Sequence, residues 1–208
     1  MQDTTQKTSF KAQQLKFRED AILDVVNHLL ARKGFDLMTM DEVAAEVGIA
    51  KASLYKHFAS KEVLAAASMT RLIDRALAVV NDLSVELDPL EKLKGLVRWA
   101  VTAHLANTMP LLPSTRSSIQ QSLTNYPPYM EKVGRLIEAV GTWIEQAQTS
   151  GLLSASLPGE VILYTVFARS CDPVADFLKL GGAFSDPEIV EMLVKTCFDG
   201  MSQDKSTL

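Results

Sequence analysis

Residues 39–64 read TMDEVAAEVGIAKASLYKHFASKEVL. Thr39 and Glu42 have the S/T-x-x-E spacing of a capping box, so a helix is predicted to open at Thr39. Gly48 closes it. Residues 50–58 read as a second short helix, and the break at "ASKEVL" starts another with Ser60 as its N-cap. Helix, glycine turn, helix is the outline of a helix-turn-helix, here with its reading motif at 40–59. Val43, Val47, Ile49 and Leu54 supply a small shared core, and Ala44 lets the two helices cross closely. A helix of nine residues barely holds itself together in water. Its polar side chains therefore call for an explanation beyond helix formation.

Placed on a wheel at about 100° per residue, Leu54 and Phe58 point inward. Ala52, Ser53 and Lys56 point outward, Tyr55 and His57 flank them, and Lys51 projects from the first turn. The outer face is small, hydrogen-bonding and cationic. It fits a DNA major groove about 12 Å wide, where Ser and Lys meet base edges and Tyr, His and Lys meet phosphates. Thr39 and Lys61, each at a helix start, are placed to add phosphate contacts. Spacing alone leaves an ordinary solvated surface helix as the alternative.

Outward from this stretch the chain reads as helix throughout, with no convincing strand alternation. A first helix spans roughly 17–33, its apolar stripe carried by Ala21, Ile22, Val25, Val26, Leu29 and Leu30, with Gly34 as a left-handed cap. The helix opened at Ser60 runs to about residue 83. Asp88-Pro89 opens another to about 107, and Pro110 and Pro113 bound a loop and a shorter helix. Pro127-Pro128 opens a long helix ending before Gly151. Pro158 opens one interrupted near Asp172-Pro173, and Ser185-Asp186-Pro187-Glu188 caps the last. The expectation is an all-α protein of about nine helices. It has a flexible N-terminal arm over 1–16, a helix-turn-helix unit over 17–77 and a larger helical bundle over 78–208.

The 208 residues suffice for one or two domains with a real core. Charge is uneven. Residues 1–61 hold nine Lys/Arg against eight Asp/Glu, and residues 62–208 hold twelve against seventeen, giving −4 over the chain. The first 17 residues lack the apolar core of a secretory signal, and no run reaches the roughly 18 apolar residues of a membrane span. Cys171 and Cys197 make neither a disulfide framework nor a zinc pattern. A cytoplasmic protein with two buried thiols is expected, without metal or cofactor.

Residues 39–64 closely resemble the DNA-binding signature of TetR-family transcriptional regulators, with cap, turn, "LYKHF" and "SKE" in order. The preceding "RKGFDLMT" fits as well, so the likeness covers roughly 17–77. The resemblance implies that Lys51, Ala52, Ser53 and Lys56 read sequence. It also implies that Tyr55 contacts phosphate or base, and that Thr39, His57 and Lys61 contact the backbone. Ala50 departs from the Ser or Thr usual at the reading helix's cap; this should weaken the helix start by about 1 kcal/mol and lower operator affinity. Lys7, Lys11, Lys16 and Arg18 precede or open the first helix, where such arms sometimes enter the minor groove; a solvated tail is the plainer reading for Lys7 and Lys11.

Behind the headpiece, the resemblance implies a ligand-binding and dimerisation domain. The helix from Pro158 and the final helix are apolar nearly all round. Val161, Tyr164, Phe167, Ile189, Met192 and Leu193 are the candidates for a two-fold four-helix seam, a fully buried monomer core being the other reading. Trp99, His104, Met109, Arg116, Tyr126, Trp143 and Phe167 are candidates to line an effector pocket, with core packing the plainer role of each. A buried His104 or Arg116 needs a partner, so an apolar or acidic small molecule is the expected effector. Its binding would shift the helix at 60–83, change the separation of the two reading helices and release a palindromic operator. Two rivals remain. One is a helical adaptor without DNA binding. The other is an enzyme using Cys171 and Asp172, although His28, His57 and His104 share no metal-binding spacing and no nucleophile-elbow, P-loop or dinucleotide motif appears.

Overall fold

The computed structural model describes residues 10–83, 85–110 and 118–200, apart from the side chain of Lys11. The described residues form ten α-helices and one 3-10 turn, with no strand. The helices are α1 (Phe10–Leu37), α2 (Met40–Val47), α3 (Lys51–His57), α4 (Lys61–Asp82), α5 (Pro89–Leu105), α6 (Ile119–Thr124), α7 (Pro127–Thr149), α8 (Gly159–Ala168), α9 (Pro173–Gly181) and α10 (Asp186–Phe198); the 3-10 turn is Arg169–Cys171. The tenth helix comes from the break expected near Asp172-Pro173. Pro173 lacks an N–H to continue α8, and Asp172 Oδ1 accepts from Val174 N at 3.0 Å to cap α9.

The arm expected at 1–16 is helical from Phe10 onward. Ala, Gln, Leu and Lys are good helix formers and extend α1 beyond its apolar stripe. Residues 1–9, Lys7 among them, lie outside the described residues. At the other end Gly34 (φ 75°, ψ 174°) breaks the helical path with a positive φ that favours glycine, in an extended conformation in place of the expected left-handed cap.

The expected caps of α2 and α4 form. Thr39 Oγ1 accepts from Glu42 N at 3.3 Å, Thr39 N donates back to Glu42 Oε2 at 3.1 Å, and Ser60 Oγ accepts from Val63 N at 3.2 Å. Lys33 reaches across from α1 to the same Glu42 carboxylate. That ion pair, with the Thr39 hydroxyl, holds Glu42 below its ordinary 4.5.

Two apolar clusters divide the molecule. The first packs Ile22, Val26 and Leu29 of α1 with Val43, Leu54, Phe58, Leu64 and Met69, and continues into Ala103, Met109, Ile119 and Leu123. The second packs Leu93, Val97 and Val101 of α5 with Val140 and Ile144 of α7, Ile162 and Val166 of α8, and Ile189 and Leu193 of α10. Helix α4 serves both, giving Leu64, Met69 and Leu72 to the first and Ile73, Ala76 and Leu77 to the second. Any tilt of α4 is therefore felt in both.

A group with a depressed folded pKa stabilises most above its unfolded pKa and loses that contribution as pH falls through the folded value. Glu42→Gln is expected to lower the thermal midpoint at neutral pH, and the difference from the parent should shrink as pH falls and Glu42 becomes protonated in the folded state too. Melting curves at neutral and acid pH check this; an equal midpoint at neutral pH would contradict it.

Candidate nucleic-acid interface

Gly48 sits at φ 77°, ψ 33°, the left-handed region a side chain resists, and turns the chain from α2 into α3. Its N–H and that of Ile49 close the end of α2 on Ala45 O at 3.2 Å and Ala44 O at 3.0 Å. Helix α3 then packs through Leu54, which is 0% exposed, with Phe58 buried just past its end. Lys51, Ala52, Tyr55 and Lys56 are left together on the exposed side, with Ser53 half-buried at its edge. The wheel's inward and outward faces are thus reproduced for Leu54, Phe58, Ala52 and Lys56, whereas Ser53, expected to point outward, turns partly into a groove toward α1. Ala50 makes no side-chain cap, as its identity dictates.

Four of the expected contact residues are already engaged within the headpiece. Lys51 Nζ lies 2.8 Å from Asp41 Oδ2, tying α3 to the first turn of α2, and this carboxylate raises the lysine's pKa. Lys61 Nζ sits 4.2 Å above the Phe35 ring and 3.3 Å from Asp36 O. Thr39, expected to offer both hydroxyl and N–H to a phosphate, donates both to Glu42. A phosphate there must displace that carboxylate. The correction is largest at His57. Its side chain is only 8% exposed, and Nδ1 lies 3.4 Å from Glu19 Oε1. It braces the last turn of α3 against α1 instead of flanking the outer face, because a seven-residue helix brings that turn against α1. Asp41 and Glu19 were missed by sequence reasoning, since contacts between helices leave no periodic signal.

Lys56, exposed and in no ion pair among the described residues, is the most available cation of the reading helix. Beside the start of α3, an open groove of about 390 Å³ lined by Phe17, Arg18, Ala21, Val47, Ala50 and Ser53 runs along α1 as far as His57.

Among the described residues, the expected effector residues are divided between the two clusters. Met109 and Tyr126 pack in or against the headpiece cluster, while Trp143 and Phe167 pack against the rear one. Trp99 touches both clusters, with the Arg75 guanidinium 5.9 Å from its ring centroid. His104 is buried, but its partner comes from its own chain: Nε2 is 3.0 Å from Asp176 Oδ1. Arg116 lies outside the described residues.

The seam residues divide as well. Val161 and Tyr164 on α8 are exposed, and Phe167 and Met192 are half-buried. Ile189, at 0% exposure, and Leu193 are buried against the rear core, so they are not surface residues. The reason is that α10 lies along α5, where Arg98 grips Glu191 at 2.7 and 3.1 Å, and its apolar stripe covers α5. Unexpected apolar surface lies on α9, where Phe177 is 72% and Leu180 87% exposed.

Burial pushes up the pKa of both thiols, and Asp172 adds to the shift at Cys171. A disfavoured thiolate is a poor nucleophile, which counts against the cysteine-enzyme reading. Among the described residues, no helix is long and apolar enough to cross a membrane.

Residues 22–68 match the family described as bacterial regulatory proteins, tetR family. The HTH-type transcriptional repressor KstR2 of Mycobacterium tuberculosis is 33% identical over 86 residues, 41% of this chain and 43% of that one. This chain thus spans less than half the length of that curated relative. In structure, the regulator FadR from Bacillus subtilis, solved with stearoyl-CoA, superposes with a TM-score of 0.61 at 14% identity, covering 88% of this chain and 99% of that one. AibR, solved with isovaleryl coenzyme A and operator DNA, gives 0.58 at 23% identity, covering 87% and 98%. Residues 22–68 thus belong to the tetR family of bacterial regulatory proteins, and the chain around and behind them has the all-helical fold of these solved regulators.

Proposed function

We propose that the protein is a ligand-responsive transcriptional repressor. It binds a palindromic operator as a homodimer through the outer face of α3 and releases it when a small molecule occupies the rear bundle. The DNA-binding unit is 17–77, and 78–208 carries effector binding and pairing. The observation that carries this reading is the exposed face of Lys51, Ala52, Tyr55 and Lys56, presented by a helix whose inner side, Leu54, is fully buried. A short rod held that rigidly fits a major groove, and two such rods about one helical turn apart fit successive grooves.

Pairing is assigned to α8 and α9. Val161 and Tyr164, with Phe177 and Leu180, form apolar surface that water would otherwise meet. The effector is assigned to an apolar body with an acidic end. Acyl-CoA bound to FadR and AibR supports that class. Binding must favour the spacing that no longer fits DNA, because only differential affinity shifts the population.

Band-shift titration with DNA from upstream of the protein's own gene is expected to show binding that weakens steeply with salt. Lys56→Ala should lower affinity and reduce the salt slope by about one, and Tyr55→Ala should lower affinity further. Long-chain acyl-CoA should release the DNA where coenzyme A alone does not. Unchanged binding by both variants would overturn the assignment of α3, and indifference to every acyl-CoA would overturn the effector class. Separately, Leu180→Glu should convert the dimer to a monomer in sedimentation; a variant that still sediments as a dimer would overturn the assignment to α9.

A further inference from the structure

Residues 104–110 read HLANTMP and end α5 in an unusual way. Asn107 takes φ 53°, the only positive φ outside glycine among the described residues. Asn tolerates this region better than other side chains. Thr108 N donates to Ala103 O at 3.0 Å and Asn107 N to His104 O at 2.9 Å, which is a Schellman closure built on Asn in place of Gly. The closure aims carbonyls at and just past the helix end away from α5, where they need outside partners.

Those partners come from two directions. On the headpiece side, Thr108 O accepts from Asn27 Nδ2 at 2.6 Å and from Arg75 Nη1 at 2.7 Å, while Asn107 O accepts from His28 Nδ1 at 3.2 Å. Asn27 is buried although polar, so this bond is its compensation. On the other side, Leu105 O accepts from Lys179 Nζ at 2.7 Å, and His104 Nε2 donates to Asp176 Oδ1 at 3.0 Å. Asp176 and Lys179 belong to α9, whose Phe177 and Leu180 point out to solvent. Five consecutive residues, 104–108, thus hold the outward apolar helix with one set of groups and the headpiece with the other.

We propose that the end of α5 is the junction that fixes the angle between the pairing helix and the headpiece. Asn27 and Arg75 are the positioning residues that hold the headpiece in it, and so they set the half-site spacing the dimer accepts. The proposal rests on the DNA-binding dimer proposed above. Neither residue need touch DNA. Each acts through the carbonyl of Thr108, whose direction the left-handed Asn107 dictates. A loose junction would let the two reading helices sample several separations, whereas a held one selects a single separation.

The test uses the full-length dimer and a duplex that the parent protein selects from a randomised pool. From it a panel is made with the half-site spacing lengthened or shortened by one and two base pairs, together with a single half-site. Arg75→Met keeps an unbranched aliphatic stem and removes one donor; Asn27→Leu keeps the volume and removes the other. Each lost bond is expected to cost roughly fivefold in preference. The parent should therefore prefer its own spacing sharply, and each variant should bind the altered spacings more nearly as well as the original, with single half-site affinity unchanged. Simple destabilisation would lower binding to every duplex alike. Because Arg75 is exposed, its variant keeps the test valid if Asn27→Leu fails to fold. Variants that keep the parent's spacing profile would overturn the junction. A parent that selects no duplex would overturn the DNA-binding reading and the junction with it, a distinct result.

Discussion

The burial of Leu54 under α3 is the contact on which the functional reading depends. A seven-residue helix has too few internal hydrogen bonds to persist alone in water, so tertiary contacts must place it. Leu54 supplies the apolar anchor, Phe58 closes the cluster just past the helix end, and His57 and Lys51 tie the two ends to α1 and α2. With the inner side fixed in this way, the outer side has no freedom left. Ala52, Tyr55 and Lys56 face solvent because Leu54 cannot. Exposing Leu54 would forfeit about 2 kcal/mol of burial and would also misdirect every residue on the opposite face.

Helix α4 makes that rigid headpiece answerable to the rest of the chain. Its first half belongs to the headpiece cluster and its second half to the rear cluster, so it cannot move within one without repacking the other. Polar ties reinforce the coupling. Arg71 reaches Asp20 O and Asp24 on α1, Arg75 reaches Thr108 O, and Lys132 on α7 pairs with Asp74. Packed interiors switch between discrete arrangements more readily than they deform continuously. A ligand wedged among the rear helices would therefore act on the headpiece as a lever acts, through α4 and the end of α5.

Much of this was legible in residue order because it is governed by neighbours in sequence. The capping pair Thr39 and Glu42, the Ser60 cap, the left-handed Gly48 and the inward Leu54 all follow from local stereochemistry and helical period. What escaped depends on which helix lies against which. Periodicity marks Ile189 and Leu193 as apolar, but it is silent on whether α5 or a second subunit covers them. It gives His57 a position on the wheel, but not the nearby Glu19 that draws the ring inward. His104 called for a partner, and nothing local pointed to Asp176, 72 residues away. The early start of α1 was hidden for the opposite reason, since its first two turns carry no apolar stripe.

The central claim is that the outer face of α3 is the surface that meets DNA. Amide chemical-shift mapping on the isotopically labelled dimer, with its selected duplex added stepwise at low salt, addresses it most directly. The account predicts that the largest shifts fall on residues 51–57 and on the first turns of α2 and α4, with the exposed faces of α7 and α10 unmoved. Shifts that spare α3 and gather elsewhere would contradict it.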